Sequence, residues 1–107
     1  MPLERDFKAK LIREIKALFP GAVVMKTDAN QLQGIPDNLI LFGPRWAMFE
    51  AKRSSSASHR PNQDHMVEYF NSMSFAKFVY PENKEEFLYE LQQALRANER
   101  GSRLLKP

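Results

Sequence analysis

The sequence predicts an α/β fold, a small mixed sheet flanked by helices in the order αβββαβα. Three observations point there. Apolar residues recur at helical spacing near both ends of the chain and once in its middle. Two near-continuous apolar runs stand on either side of a Gly-Pro turn, as the arms of a hairpin would. Proline and glycine punctuate the boundaries between these stretches. A length of 107 residues fits one domain with one modest core, expected to span 1–107 with 102–107 as a loose tail.

Residues 4–19 are expected to be helical, because Phe7, Leu11, Ile15 and Leu18 fall on one face with Arg and Lys between them. Pro20-Gly21 stops that helix. Ala22 to Met25 reads as a short strand, and the polar stretch from Thr27 to Gly34 as a loop with Asp28, Asn30 and Gly34 as turn formers. Asn38–Phe42 and Trp46–Lys52 read as strands joined by the turn Gly43-Pro44-Arg45. Both are apolar nearly throughout, which predicts cover on both faces of the sheet. After the small polar loop Ser54–Ser58, Pro61 suits the first turn of a helix over 62–72 with Met66, Val67, Phe70 and Met73 on its apolar stripe. Phe75–Tyr80 reads as a fourth strand. Pro81-Glu82-Asn83 then opens a last helix to about Asn98, with Gly101 as its terminator. No repeat or linker interrupts this order.

The chain carries 43% hydrophobic and 27% charged residues, which predicts folding rather than disorder. It has no cysteine, which removes disulfides and thiolate metal sites and fits a reducing compartment. No apolar run has membrane-spanning length, and the charged start is unlike a signal peptide, so no membrane partner and a cytoplasmic location are expected. The net charge is +3, but its distribution is more informative: Lys52, Arg53, His59 and Arg60 crowd one segment, and Glu82, Glu85, Glu86 and Glu90 another.

The chemistry is concentrated at the ends of the apolar hairpin. Asp37 follows Pro36 at the entry to one arm, on a backbone the proline stiffens toward extended geometry. Glu50 and Lys52 end the other arm, and residues two apart in a strand share a face. Pairing around Gly43-Pro44 sets Asp37 opposite residues 50 to 52. Two carboxylates and an amine at the end of otherwise apolar strands suit a hard divalent cation, Mg²⁺ with Mn²⁺ as substitute, beside a phosphodiester. Asp37 and Glu50 are the expected ligands, with the backbone carbonyl of Ala51. Lys52 as an ammonium offsets charge developing on phosphate or positions the attacking water; acting as the base would need a depressed pKa. A solvated Glu-x-Lys face and a Pro-Asp turn are the plainer alternative. Arg53, His59 and Arg60 are the expected contacts to a DNA backbone, which would make binding salt-sensitive. Nothing resembles a recognition helix or a ring of exposed aromatics, so base-sequence reading is not expected.

The pattern Gly34-Ile35-Pro36-Asp37 followed by Phe49-Glu50-Ala51-Lys52-Arg53 resembles the PD-(D/E)xK nucleases. Within them it is most similar to the small VRR-NUC-type and phage nucleases related to Holliday junction resolvases. The resemblance covers most of the chain. It implies a restriction-endonuclease-like core and an Mg²⁺-dependent endodeoxyribonuclease centred on Asp37, Glu50 and Lys52. It also implies a further acid on the first helix, Glu4 in preference to Glu14, in the catalytic and metal sets, Gln63 beside the lysine, and Lys26 on DNA phosphate. A homodimer acting on branched or junction DNA in a bacterial or phage-infected cell follows from the same resemblance, with Met73, Phe75 or Phe78 as candidate contacts. Two other readings stay open: a non-selective nicking nuclease, and a non-enzymatic DNA or protein interaction module.

Overall fold

The computed structural model describes residues 3–105, with side chains through Arg96. Its elements are α1 (Glu4–Leu18), β1 (Val23–Lys26), β2 (Asn38–Phe42), β3 (Arg45–Ala51), α2 (Gln63–Met73), β4 (Ala76–Val79), a 3₁₀ turn (Pro81–Asn83) and α3 (Lys84–Leu105). The four strands form one sheet in the order β1-β2-β3-β4. The first three run antiparallel, and β4 lies parallel to β3. That parallel step requires a crossover, and α2 supplies it.

Alternation along β3 divides the core. Ala47, Phe49 and Ala51 face Leu11 and Ile15 of α1, Phe19 just beyond it, and Phe87, Leu88, Leu91 and Leu95 of α3. Met48 faces the other way, into a smaller cluster with Val67 of α2 and Ala76. Helices therefore cover both faces, as the near-continuous apolar strands predict. Phe87 is the hinge of the larger core, with ring centroids 5.7 Å from Phe49 and 6.0 Å from Phe75. Full burial of such a side chain contributes about 1.5–3 kcal/mol. Arg96 lies 4.7 Å over the Phe19 ring and ties the C-terminal helix to the end of α1.

The hairpin turn is two residues long, Gly43-Pro44, with Arg45 already paired to Phe42 in the ladder. Gly43 has φ 58°, the positive angle needed at the first central position of a type II′ turn. This geometry fixes the register and with it everything at the far end of the hairpin.

Two boundaries differ from expectation for local reasons. Pro81-Glu82-Asn83 forms a separate 3₁₀ turn, because the Tyr80 N–H donates to the Asn83 side chain at 2.9 Å and closes a cap before α3 starts. The last helix does not end at Gly101 but runs through it to Leu105. A single glycine costs a helix only about 1 kcal/mol. The remaining tail positions lie outside the described residues. Among the described residues, no helix is long and apolar enough to cross a membrane.

Candidate active site

The register Asn38↔Phe49 sets Asp37 opposite Glu50. The Asp37 backbone N–H donates to Glu50 Oε1 at 2.9 Å, so the carboxyl of one arm is bonded to the backbone of the other. Upstream, Pro36 is fully buried. Its carbonyl accepts the Thr27 hydroxyl at 2.6 Å, and the Thr27 N–H donates to the Asp37 carbonyl at 3.0 Å. Lacking an N–H, Pro36 gives the ladder no donor, and pairing resumes at Asp37. The acid is thus fixed by backbone bonds on both sides.

Glu50 is 3% exposed. Burial pushes its carboxyl above the ordinary value of 4.5, and the nearby Asp37 charge pushes the same way; the Asp37 N–H, Lys52 and Arg60 oppose it. The Arg60 guanidinium is 3.9 Å from Glu50 Oε2, on a side chain 71% exposed, so its compensation is partial. An acid taken out of water in this way has its charged form poorly solvated, a cost that a bound cation would offset.

Lys52 is 7% exposed. Its ammonium donates to Gln63 Oε1 at 3.0 Å and to the Ser58 carbonyl at 3.2 Å. Of its three donors, two are used and one remains. Gln63, the first residue of α2, also accepts the Arg60 backbone N–H at 2.8 Å. The start of α2 therefore orients the lysine. Two donors on Oε1 settle the amide orientation and leave Gln63 Nε2 without a partner in the protein.

Other sequence-predicted residues have varied positions. Ala51 is the buried last residue of β3, next to Glu50. Glu4 is exposed in the first turn of α1 and does not join the pair: among the described residues, no three His, Cys, Asp or Glu side chains gather as a metal cluster. Lys8, one turn further along, donates to Asp37 Oδ2 at 2.9 Å where a third acid was expected. The spacing Glu4 to Lys8 puts both on one helix face, and that is the signal that could have singled out the lysine. Glu14 pairs with Lys84 at 3.1 Å between α1 and α3, in keeping with a surface acid.

Lys26 ends β1, exposed and paired in register with Asn38; Arg53 is exposed just after Lys52. Both are open to solvent at the carboxylate end of the sheet. His59 is more constrained. Its ring stacks on Phe78 at 4.1 Å and its Nδ1 lies 2.6 Å from Asp64 Oδ1, so it anchors the loop before α2. The serine loop is tied as well, with the Ser55 N–H and hydroxyl donating to Glu82 Oε2 at 3.2 and 3.1 Å.

No protein-family model matches the chain, and no curated protein matches it. Among solved structures, a VRR_NUC domain protein superposes with a TM-score of 0.62 over 90% of this chain and 91% of its own, at 14% identity. The fold is of the VRR_NUC type. At that identity the likeness extends to architecture, and the chemistry must be read from this chain's own side chains. Two features of the site escape the sequence: the Lys8 contact, which depends on how α1 packs on the sheet, and the Ser58 carbonyl on Lys52, which depends on how the loop after β3 folds back.

Proposed function

We propose that this chain is a metal-dependent DNA endonuclease, hydrolysing phosphodiesters in branched or junction DNA. The observation that carries the reading is the buried Glu50 carboxyl, held against Asp37 and beside Lys52, with its proton affinity raised by burial and by Asp37. Two carboxylates are a modest set, but Mg²⁺ is held by one or two carboxylates with the remaining positions filled by water and substrate phosphate. Asp37 and Glu50 fit that role, with the Ala51 carbonyl beside them. The cation, when bound, polarises the phosphate and lowers the pKa of an attacking water.

The chain's own groups supply the rest. Lys52 directs its remaining N–H to a phosphate oxygen and offsets the charge that grows there as water oxygen bonds to phosphorus and the bond to the sugar oxygen breaks. Gln63 and the Ser58 carbonyl hold that ammonium in place. Lys8 keeps Asp37 paired while no cation is present. Arg53, Arg60 and Lys26 contact the DNA backbone. Selectivity for branched DNA and action as a homodimer belong to the same reading and are supported by the sequence resemblance. Of the candidate dimer contacts, Met73 is 57% exposed, whereas Phe75 and Phe78 are packed within the chain.

The test is cleavage of labelled four-way junction, flap, linear duplex and single strand, each with Mg²⁺, Mn²⁺ or EDTA. The wild type should cut the junction in either metal, well above the duplex, and not in EDTA. Asp37→Ala should be inert. Equal cutting by wild type and Asp37→Ala would remove the site. Equal cutting of every substrate would leave a non-selective nuclease.

A further inference from the structure

A cavity of about 140 Å³ lies between the loop that precedes β2 and the start of α2. Its apolar lining includes Ile35 and Pro61, its polar lining Gln33, Arg60 and Gln63, and no carboxylate lines it. The walls are rigidly joined. A Cβ on Gly34 would sit 2.7 Å from the Asn62 backbone, so loop and helix start are in direct contact. The Asn62 amide also donates to Gln33 Oε1 at 3.3 Å.

The hydrogen-bonding inventory leans toward donors. Gln63 Oε1 is filled by Lys52 and the Arg60 N–H, so Gln63 has only its NH₂ group left; Gln33 Oε1 accepts once, from Asn62, and Gln33 keeps its NH₂ group and one acceptor position. Gln63 is 1% exposed, and its Nε2 has no partner in the protein. A buried donor without an acceptor costs stability, and its retention calls for an explanation by function. Arg60 adds further donors, and its guanidinium also lies 3.9 Å from Glu50, which places the cavity beside the carboxylates.

We propose that this cavity receives one unstacked nucleobase carrying carbonyl acceptors, a thymine or cytosine, from a nucleotide next to the scissile phosphate. The volume admits one six-membered ring and not a stacked pair. Ile35 and Pro61 would cover its faces, and Arg60 and the Gln33 amide would bond its edge, joined by Gln63 Nε2, buried in the free protein, once its side chain turns toward the base. A bare phosphate would leave the apolar walls unused. Adenine offers ring-nitrogen acceptors, but its two fused rings exceed the one-ring volume, so size sets the discrimination against it. The inference rests on the nuclease reading and deepens it: the preferred substrate has an unpaired pyrimidine at the branch, and selectivity comes from unpairing.

The test follows the side-chain amide NMR signals of Gln33 and Gln63 in ¹⁵N-labelled protein, in EDTA so that nothing is cut. The titrants are a thymidine pentamer, the same pentamer with an abasic central nucleotide, and a deoxyadenosine pentamer. The proposal expects both amide signals to shift with the thymidine pentamer, at an affinity at least about five-fold above either control. Ala29→Phe, which puts a ring into the cavity from its loop side, should abolish the difference. Gln33→Leu, at an exposed position, should reduce it and serves if the first variant misfolds. Unmoved amide signals, or equal affinity for thymidine and abasic strands, would overturn the proposal. Cleavage separates the two readings. A protein that shifts as expected yet cuts no DNA in Mg²⁺ or Mn²⁺ keeps the base site and loses the nuclease. One that cuts but shows no base-dependent shift loses only the base site.

Discussion

Glu50→Gln is the most informative single substitution. The wild-type side chain is 3% exposed, accepts one backbone N–H at 2.9 Å, and has its guanidinium neighbour 3.9 Å away. Its carboxyl is pushed up by burial and by Asp37. Glutamine preserves the shape and the acceptor for the Asp37 N–H while removing the charge. In EDTA at pH 7 the variant should therefore be more stable, by about 1–3 kcal/mol, the order of an incompletely compensated buried polar group. Each kcal/mol moves Tm by about 4–8 °C in a domain of this size. The pH dependence has a definite sign. Between the ordinary value of 4.5 and the raised folded-state value, the native wild type binds more protons than the unfolded chain, so its stability falls as pH rises through that window. Below the window Glu50 is protonated in both states and contributes no penalty. The advantage of glutamine should grow from near zero in acid to a plateau above the raised folded-state value. Mg²⁺ should close or reverse the gap, because a cation at about 100-fold its Kd adds about 2.7 kcal/mol to the wild type alone. Thermal unfolding across pH, with and without Mg²⁺, measures all of this. A variant less stable than wild type in EDTA at pH 7, or a difference that does not change with pH, would refute the reasoning.

Gly34→Ala should cost at least about 2 kcal/mol, since φ is +83° and the new Cβ would meet the Asn62 backbone at 2.7 Å; urea unfolding would show it, and a neutral result would mean that the loop is not pinned to α2. Lys8→Ala should cost no more than about 1 kcal/mol and should tighten Mg²⁺ binding in calorimetry, because the ammonium at 2.9 Å competes for the Asp37 carboxylate. Weaker binding would make Lys8 a support rather than a competitor. Lys52→Met should lower kcat by about 10²–10³ while leaving Mg²⁺ affinity little changed, as expected for a group that acts on developing charge. A matching loss of metal affinity would argue against that role.

The hairpin was the most legible part of the chain. Its apolar runs and its Gly43-Pro44 turn specify strand type, pairing and register together, and the opposition of Asp37 and Glu50 follows from the register. The helices were legible from periodicity, apart from the end of α3, where Gly101 alone does not stop a helix that tertiary contacts hold upstream. Glu4 and Lys8 share one face of α1, but which residue on that face reaches Asp37 depends on how the helix packs on the sheet, and Lys8 reaches it. Likewise His59 reads as a basic contact until Phe78 and Asp64, distant or incidental in sequence, take its face and its Nδ1. The cavity beside Gln63 had no sequence signal, because it is made by the approach of Gly34 to Asn62 across the fold.

Crystals soaked in MnCl₂ and measured for anomalous scattering would locate the cation directly. A peak is expected within about 2 Å of one carboxylate oxygen each from Asp37 and Glu50, with Lys8 displaced from Asp37. Crystals that take up Mn²⁺ elsewhere, or show Asp37 still bonded to Lys8 and no density between the two acids at saturating metal, would contradict that placement.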